Sequence, residues 1–528
     1  MKKLLPLFIF LLSLTVGRAA DKGESAMAKL GRAEAIIENL YVEEVDTDTL
    51  VTEAIRAMLR TLDPHSAYTT PKETEEYLQP LDGSFSGIGV TFNMLDDTVY
   101  VIQPTAGGPS MKAGILPGDR IVAANDTVIA GKKMSNRKVM GILRGPKGSK
   151  VTLRVKRGQE MIDFDITREN IPIYSVDETF MADDSTGYVR VQRFAESTAD
   201  EVAAAIDKLR RRGMKTLIID LSDNGGGYLG AAFNLSSLFL PDGTPVVATK
   251  GRRMPLQNYR TMGDAQFDGD IVLIMNQYSA SAAEIFAGAI QDNDRGVVVG
   301  RRSFGKGLVQ KPFNFPDGSS IRLTVARYFT PSGRCIQKPY TKGHSEEYEH
   351  ELLGRMTAGE LWHLDSIPRP DSLRYETLNS HRPVYGGGGI IPDVFVPADT
   401  SYYSKYYRDL IAKGIINRAV IAQVESSRDS LLRVYPGSDD FVDGYEIPEE
   451  LFADISARAE AAGITPDEAG WERSRPLAAA IIKGLMNRDL YENGSYYRSI
   501  APLNPDYTEA VRVARDKNLY RRLLKSNH

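Results

Sequence analysis

The chain predicts a multidomain α/β fold, and three patterns in its 528 residues predict it. Strands and helices alternate between Ile171 and about Thr330, a β-rich stretch punctuated by glycine turns runs from Gly83 to about Asn170, and amphipathic helical runs flank both. Alternation calls for βα crossovers in an open sheet, whereas short strands at regular spacing call for a separate antiparallel unit.

Taken in order, Lys2 and Lys3 precede the apolar run Leu4 to Val16, and Gly17, Arg18, Ala19 and Ala20 follow. This reads as a secretory leader over 1–20 with small residues at its cleavage site. Thirteen positions fall short of the roughly 20 that span a bilayer. Cleavage would release an exported, periplasmic protein, and retention would leave it membrane-associated. Residues 21–82 are helical, with two amphipathic runs separated by TLDPHSAY at 61–68. The β-rich domain occupies 83–170, with strands such as TVYVIQ and KVTLRVKR. The α/β core, 171–400, is built from segments such as YVRVQRF, ADEVAAAIDKLRRR, TLIIDL and IVLIM. Inside it, 338–385 is polar and irregular and reads as a long surface insertion before GGGGIIPDVFVP. Beyond 400 the pattern is helical and charged to residue 528, and no internal repeat is found.

Composition narrows the classes of function. A net charge of −4 and the lack of a long basic run give no electrostatic reason to expect nucleic acid. The single cysteine, Cys335, excludes an intrachain disulfide and is no lipid-attachment site near the leader. It reads as a small apolar residue.

The chemistry concentrates in NQYSASAAEIFAGAIQDNDRGVVVGRRSFGKGLVQ, residues 276–310. Ser281 lies where an apolar strand turns into a helix, so its side chain projects beside free helical N–H groups that favour a developing anion. Lys306, in a turn with Phe304, Gly305 and Gly307 and no adjacent acid, can serve as a base if burial lowers its proton affinity. Gln310, four residues on, shares a face with Lys306 on a predicted strand. DLSDNGGGYLG at 220–230 brings three consecutive glycines after a buried strand, a loop whose backbone can approach a ligand as an oxyanion hole requires.

Plainer readings compete. Ser281-Ala-Ala-Glu284 also fits a capping box without chemistry. Gly300 to Gly307 nearly matches a phosphate-binding loop, but Gly307 stands where a hydroxyl is required and a strand-like LVQKPFNF follows. Ser303-Phe-Gly-Lys306 with Ser222-Asp223-Asn224 imitates a penicillin-binding enzyme, yet the order is reversed and no K-T-G occurs. A Ser-His-Asp triad lacks support, because His65, His344, His350, His363, His381 and His528 all fall outside the α/β segment. No ligand spacing joins His344, His350 and His363, so no metal and no cofactor is expected.

Together LDPHSAY, SGIGV, AGILPGDRI, LRGPKGSKVTL, DLSDNGGG, NQYSASAAEIFAGAIQD, SFGKG with Gln310, and GIIPDV resemble the carboxyl-terminal-processing (tail-specific) serine peptidases, over most of residues 30–400. The resemblance implies a crotonase-like protease core with an inserted PDZ domain. It implies Ser281 as nucleophile rather than Ser279, Lys306 as general base, Gln310 as the residue orienting it, and the backbone N–H groups of Gly226 and Ala282 as the oxyanion hole. In the PDZ segment it implies that Ser86, Gly87, Ile88, Gly89 and Val90 bind a peptide's terminal carboxylate, with Arg144 sensing it. Partners would be proteins or peptides with free, apolar C-termini, with room for an adaptor and for homo-oligomers. The chain departs from the family pattern at Ser222, where arginine is common, at a second glycine replacing proline, and at Ala283, where serine is common. None removes a group the chemistry needs. The competing class is a catalytically silent PDZ-bearing scaffold, which would not require Ser281, Lys306 and Gln310 together.

Overall fold

The structure, a computed structural model, describes residues 21–491 and 495–525. The expected leader at 1–20 lies outside the described residues. The central sheet runs Val176–Met181, Thr186–Val191, Thr216–Asp220, Asp270–Met275, Val297–Gly300, Val394–Phe395, antiparallel in its first pair and parallel thereafter. Its central strands are mostly apolar along their length, Leu217–Ile219, Ile271–Met275 and Val297–Val299, because both faces are covered. Leu217, Ile219, Ile271, Leu273 and Met275 face one core with helices Thr198–Arg210, Leu229–Ser237 and Ala282–Asp292. The alternate residues Ile218, Val272, Ile274 and Val299 face a second core with Tyr507, Val511, Leu519 and Tyr520. The end of the chain thus belongs to the core. This corrects the expectation that everything beyond 400 is an extension, which holds for the bundle of helices between Lys405 and Leu490 around their own core.

A second sheet, Ala67–Thr69, Ser320–Phe329, Pro245–Lys250, Gln257–Arg260, carries Leu308–Asn314 on the long strand. The LDPHSAY segment enters this sheet through Ala67–Thr69. The PDZ-like domain is a separate sheet from Val90–Leu95 to Glu160–Thr167. Its entry and exit strands pair with one another, Ser84 opposite Pro172 and Gly87 opposite Glu169, as an insertion requires.

The segment 338–385 is not the surface loop expected from its composition. It forms helix Ser345–Thr357 and a small hairpin, Arg374–Glu376 with Pro383–Tyr385, and buries Tyr348, Arg355, Leu361 and Ile367. Two of the four, Tyr348 and Arg355, carry polar groups, and Arg355 is buried with its guanidinium paired to Glu360, contacts that an apolar periodicity does not register.

Candidate active site

Ser281 sits between strand Asp270–Met275 and helix Ala282–Asp292 at φ 58° and ψ −115°. A non-glycine residue held there costs about 1–3 kcal/mol and persists only where its surroundings over-determine it. Ser279 is fully buried and spent on the turn: its Oγ donates to the Leu221 carbonyl at 2.7 Å and accepts the Asn276 N–H at 3.0 Å. Of the two serines only Ser281 lines a cleft of about 250 Å³, together with Lys306, Gln310, Ala282, Gly225 and Gly227.

Glu284 ties the Ser281 turn to the Lys306 loop. Fully buried, its Oε2 accepts the N–H groups of Ser281 at 2.8 Å and Lys306 at 2.9 Å, and its Oε1 accepts the Gly305 N–H at 2.7 Å and the Ser303 hydroxyl at 2.5 Å. Ser303 Oγ itself accepts the Ile390 N–H at 2.7 Å, so its proton is committed to Glu284. Burial pushes the Glu284 carboxyl above the ordinary range while these donors pull it back. Four donors converging on two oxygens favour the carboxylate over the acid, whose hydroxyl would have to donate back to Ser303. Only half of the expected capping box forms, the Glu284 carboxylate on the Ser281 N–H; the Ser281 hydroxyl is left free of it. From the opposite side the Tyr328 hydroxyl rests against the carbonyls of Ser281, at 3.2 Å, and Lys306.

Burial, aided by the charge of Arg322, pulls Lys306 below the usual lysine range against the opposing pull of Glu284 and Asp63. The sequence showed no neighbouring acid, yet two acids face the amine and desolvation outweighs them. Gln310 is the cross-strand partner of Thr324. Its Nε2 donates to Thr324 Oγ1 at 3.2 Å, and Thr324 Oγ1 donates to Asp63 Oδ1 at 2.9 Å. A carboxylate only accepts, so the direction of both bonds is set and the Gln310 carbonyl Oε1 stays unspent. Asp63 is held by the N–H groups of His65 and Ser66 at 2.9 Å and 3.0 Å. The LDPHSAY turn therefore orients Gln310 from another part of the chain. Among the described residues no hydrogen bond yet joins Ser281 Oγ, Lys306 Nζ and Gln310, bonds that commonly tighten only around substrate.

The free N–H groups beside Ser281 differ from those expected. Among the described residues the Ala282 N–H has no hydrogen-bond partner. The Gly226 N–H is not available: it donates to Asn224 Oδ1 at 2.8 Å. Glycine is needed at 226 for another reason, since a Cβ there would lie 2.7 Å from Ser281 Cβ at φ 97°. The unpartnered N–H groups on that loop are those of Gly225 and Gly227, which line the cleft.

The insertion braces the lysine loop. Arg355 donates to the carbonyls of Arg302 and Ser303 at 2.8 Å and 3.0 Å, while Glu360 takes both Arg302 and Arg355. Gln337 accepts the Gly307 N–H at 2.8 Å and donates to the Tyr348 hydroxyl, which meets His65 Nε2 at 3.0 Å. His65 thus comes beside the site although it touches neither Ser281 nor Lys306. Burial and the nearby Lys306 push it down to about 4, so it is neutral at pH 7. His344, His350 and His363 are exposed around helix Ser345–Thr357.

At the PDZ-like domain, Val90–Leu95 is an edge strand facing helix Asn136–Leu143 across a pocket of about 70 Å³ lined by Phe85, Ile88, Gly89, Val90, Met140, Leu143 and Arg144. An open edge beside an apolar pocket suits strand addition by a peptide. Ser86 and Gly87 fall outside this pocket because they pair with Asn170 and Glu169 in the strand that closes the domain. Arg144 lies 4.2 Å over the Phe85 ring and donates to Gln79 Oε1 at 3.1 Å.

Comparison with known proteins adds the following. The peptidase family S41 profile matches residues 185–346, a PDZ domain profile matches 86–167, the profile for the N-terminal domain of the activating protease CtpB matches 13–74, and a family of unknown function matches 406–492. The carboxy-terminal processing protease CtpA of Bacillus subtilis is 34% identical over 337 residues, 63% of this chain and 71% of that protein. CtpB of the same organism is 35% identical over 326 residues, 61% of this chain and 68% of that protein. Among solved structures, a photosystem II D1 C-terminal processing protease is 30% identical and aligns over 60% of this chain and 85% of its own, with a TM-score of 0.35.

Proposed function

This chain belongs to peptidase family S41 and is a serine-type, carboxyl-terminal processing peptidase; from that premise we propose that Ser281 is its nucleophile and Lys306 its general base. Neutral Lys306 takes the Ser281 hydroxyl proton as Oγ attacks the scissile carbonyl carbon. The resulting oxyanion is held by the Ala282 N–H and an N–H of Gly225 or Gly227. Collapse breaks the C–N bond, the Lys306 ammonium returns the proton to the leaving amine, and water activated by the same lysine hydrolyses the acyl enzyme. Gln310 turns its free carbonyl oxygen toward the lysine.

The observation that carries this reading is the Glu284 carboxylate, which holds the Ser281 and Lys306 backbones at 2.8 Å and 2.9 Å and so fixes both groups in one cleft. A silent scaffold has no need of a buried charge at that place. The PDZ domain supports peptide binding. We assign to its edge strand and to the backbone of Ile88, Gly89 and Val90 the capture of free, apolar C-termini, and we place the enzyme outside the cytoplasm on the strength of the leader-like residues 1–20. The test compares the C-termini of exported proteins in cells carrying the wild-type chain or Ser281→Ala. Shortened termini should disappear and longer precursors accumulate in the variant. Identical termini in both strains would contradict the proposal.

A further inference from the structure

The floor of the cleft is one face of the hairpin Leu308–Asn314 and Ser320–Phe329, from which Gln310, Ser320, Arg322 and Tyr328 line it together with Ser281. Arg322 is anomalous among them. Its guanidinium lies 4.0 Å over the Tyr77 ring, its Nε is buried without a partner, and it forms no hydrogen bond or ion pair with any described residue. A guanidinium is permanently charged and carries five donors, and half-burying it with none of them spent is costly. No aspartate or glutamate lines the cleft. Beside Lys306, whose free amine the chemistry uses, Arg322 is the one charged side chain among the described residues that line the cleft.

Resting on the peptidase reading above, we propose that Arg322 is a carboxylate subsite of the cleft, binding a carboxylate carried by the peptide near the scissile bond. Planar guanidinium meets carboxylate through paired hydrogen bonds, which gives orientation as well as affinity. The carboxylate is either the peptide's own C-terminus or an Asp or Glu side chain. The same arginine has a second effect. The groups facing Lys306 are Arg322 from the floor, Glu284 from the nucleophile helix, and Asp63 with neutral His65 from the N-terminal turn. Only Arg322 adds positive charge there, so its loss must raise the proton affinity of Lys306.

The experiment measures kcat/KM of the full chain on four matched peptides: free-acid terminus, amidated terminus, amidated with glutamate near the scissile bond, and amidated with glutamine there. Wild type should prefer a carboxylate peptide over its neutral match. Arg322→Met should shrink that ratio by about tenfold or more, the scale of one charge-assisted hydrogen bond. Arg322→Lys should retain part of it. In Arg322→Met the acidic limb of the pH profile should also move to higher pH. Peptide affinity of the PDZ domain, read from a fluorophore placed beside helix Asn136–Leu143 in the full chain carrying Ser281→Ala with and without Arg322→Met, should be unchanged, which separates this site from PDZ capture and reports folding; Arg322→Gln serves if the methionine variant is unfolded. Loss of the acid-over-amide ratio identifies the terminus, and loss of the glutamate-over-glutamine ratio identifies a side chain. Turnover with both ratios unaltered in the variants overturns the subsite. Failure of wild type to cleave any of the four overturns instead the peptidase reading on which it rests.

Discussion

Glu284 concentrates the argument at the scale of the residue. Its four accepted hydrogen bonds join the Ser281 turn to residues 303–306, and glutamine offers one acceptor oxygen where the carboxylate offers two. Whichever oxygen becomes the amide nitrogen, backbone N–H groups then face a donor, that of Gly305 in one orientation and those of Ser281 and Lys306 in the other, at about 1–3 kcal/mol for each unsatisfied group. Glu284→Gln is expected to lower kcat/KM by about 100-fold, since roughly 3 kcal/mol is two orders of magnitude in rate. The pH profile gives an independent sign. The carboxylate raises the proton affinity of Lys306, so removing its charge moves the acidic limb to lower pH, opposite to the expected effect of Arg322→Met. A kcat/KM within a few-fold of wild type would show that Glu284 does not position the pair. At this scale Ser281, Lys306 and Gln310 were legible as candidates from their spacing and flanking glycines, and the structure brings the three to one cleft. The wider role of Glu284 was not, since S-x-x-E reads locally as a cap and its contacts with residues 303–306 exist only after folding.

At the scale of the element, the turn at 61–68 and the insertion helix Ser345–Thr357 meet through His65 and Tyr348. His65 falls from an ordinary 6.5 to about 4 through burial and the neighbouring Lys306. For a histidine whose folded value is depressed, the stability contribution is complete above the unfolded value and is lost as pH falls toward the folded one. Stability should therefore decline between pH 6.5 and about 4, as the unfolded chain takes up a proton the folded chain refuses. Denaturant titrations across this window should show a smaller decline in His65→Gln than in wild type. An equal decline in both would remove His65 from the account. The insertion was misread as a surface loop because its links to the lysine loop run through Arg355, Glu360 and Gln337, and polar residues give no periodic signal of burial.

At the scale of the whole molecule, helices Pro505–Arg515 and Lys517–Leu523 cover one face of the central sheet, against Ile218, Val272, Ile274 and Val299. A chain ending at residue 500 exposes that face and should lose cooperative unfolding and solubility; a soluble, cooperatively folded truncation would contradict this packing. The sequence revealed these helices but not their partner, because amphipathicity shows that a face is buried and not what buries it. The helical bundle also reaches the PDZ-like domain, with Ile421 packed on Leu95, Tyr100 and Ile102. The central claim is that Ser281 is activated by a lysine whose proton affinity burial lowers. The measurement that tests it most directly is kcat/KM against pH for wild type, Ser281→Ala and Lys306→Ala on a peptide with an apolar, free C-terminus. The account predicts that the wild-type rate rises with pH through a group below the ordinary lysine value of 10.5, and that both variants stay at background at every pH. A Lys306→Ala enzyme that keeps turnover within a few-fold of wild type, with the same acidic limb, would contradict it.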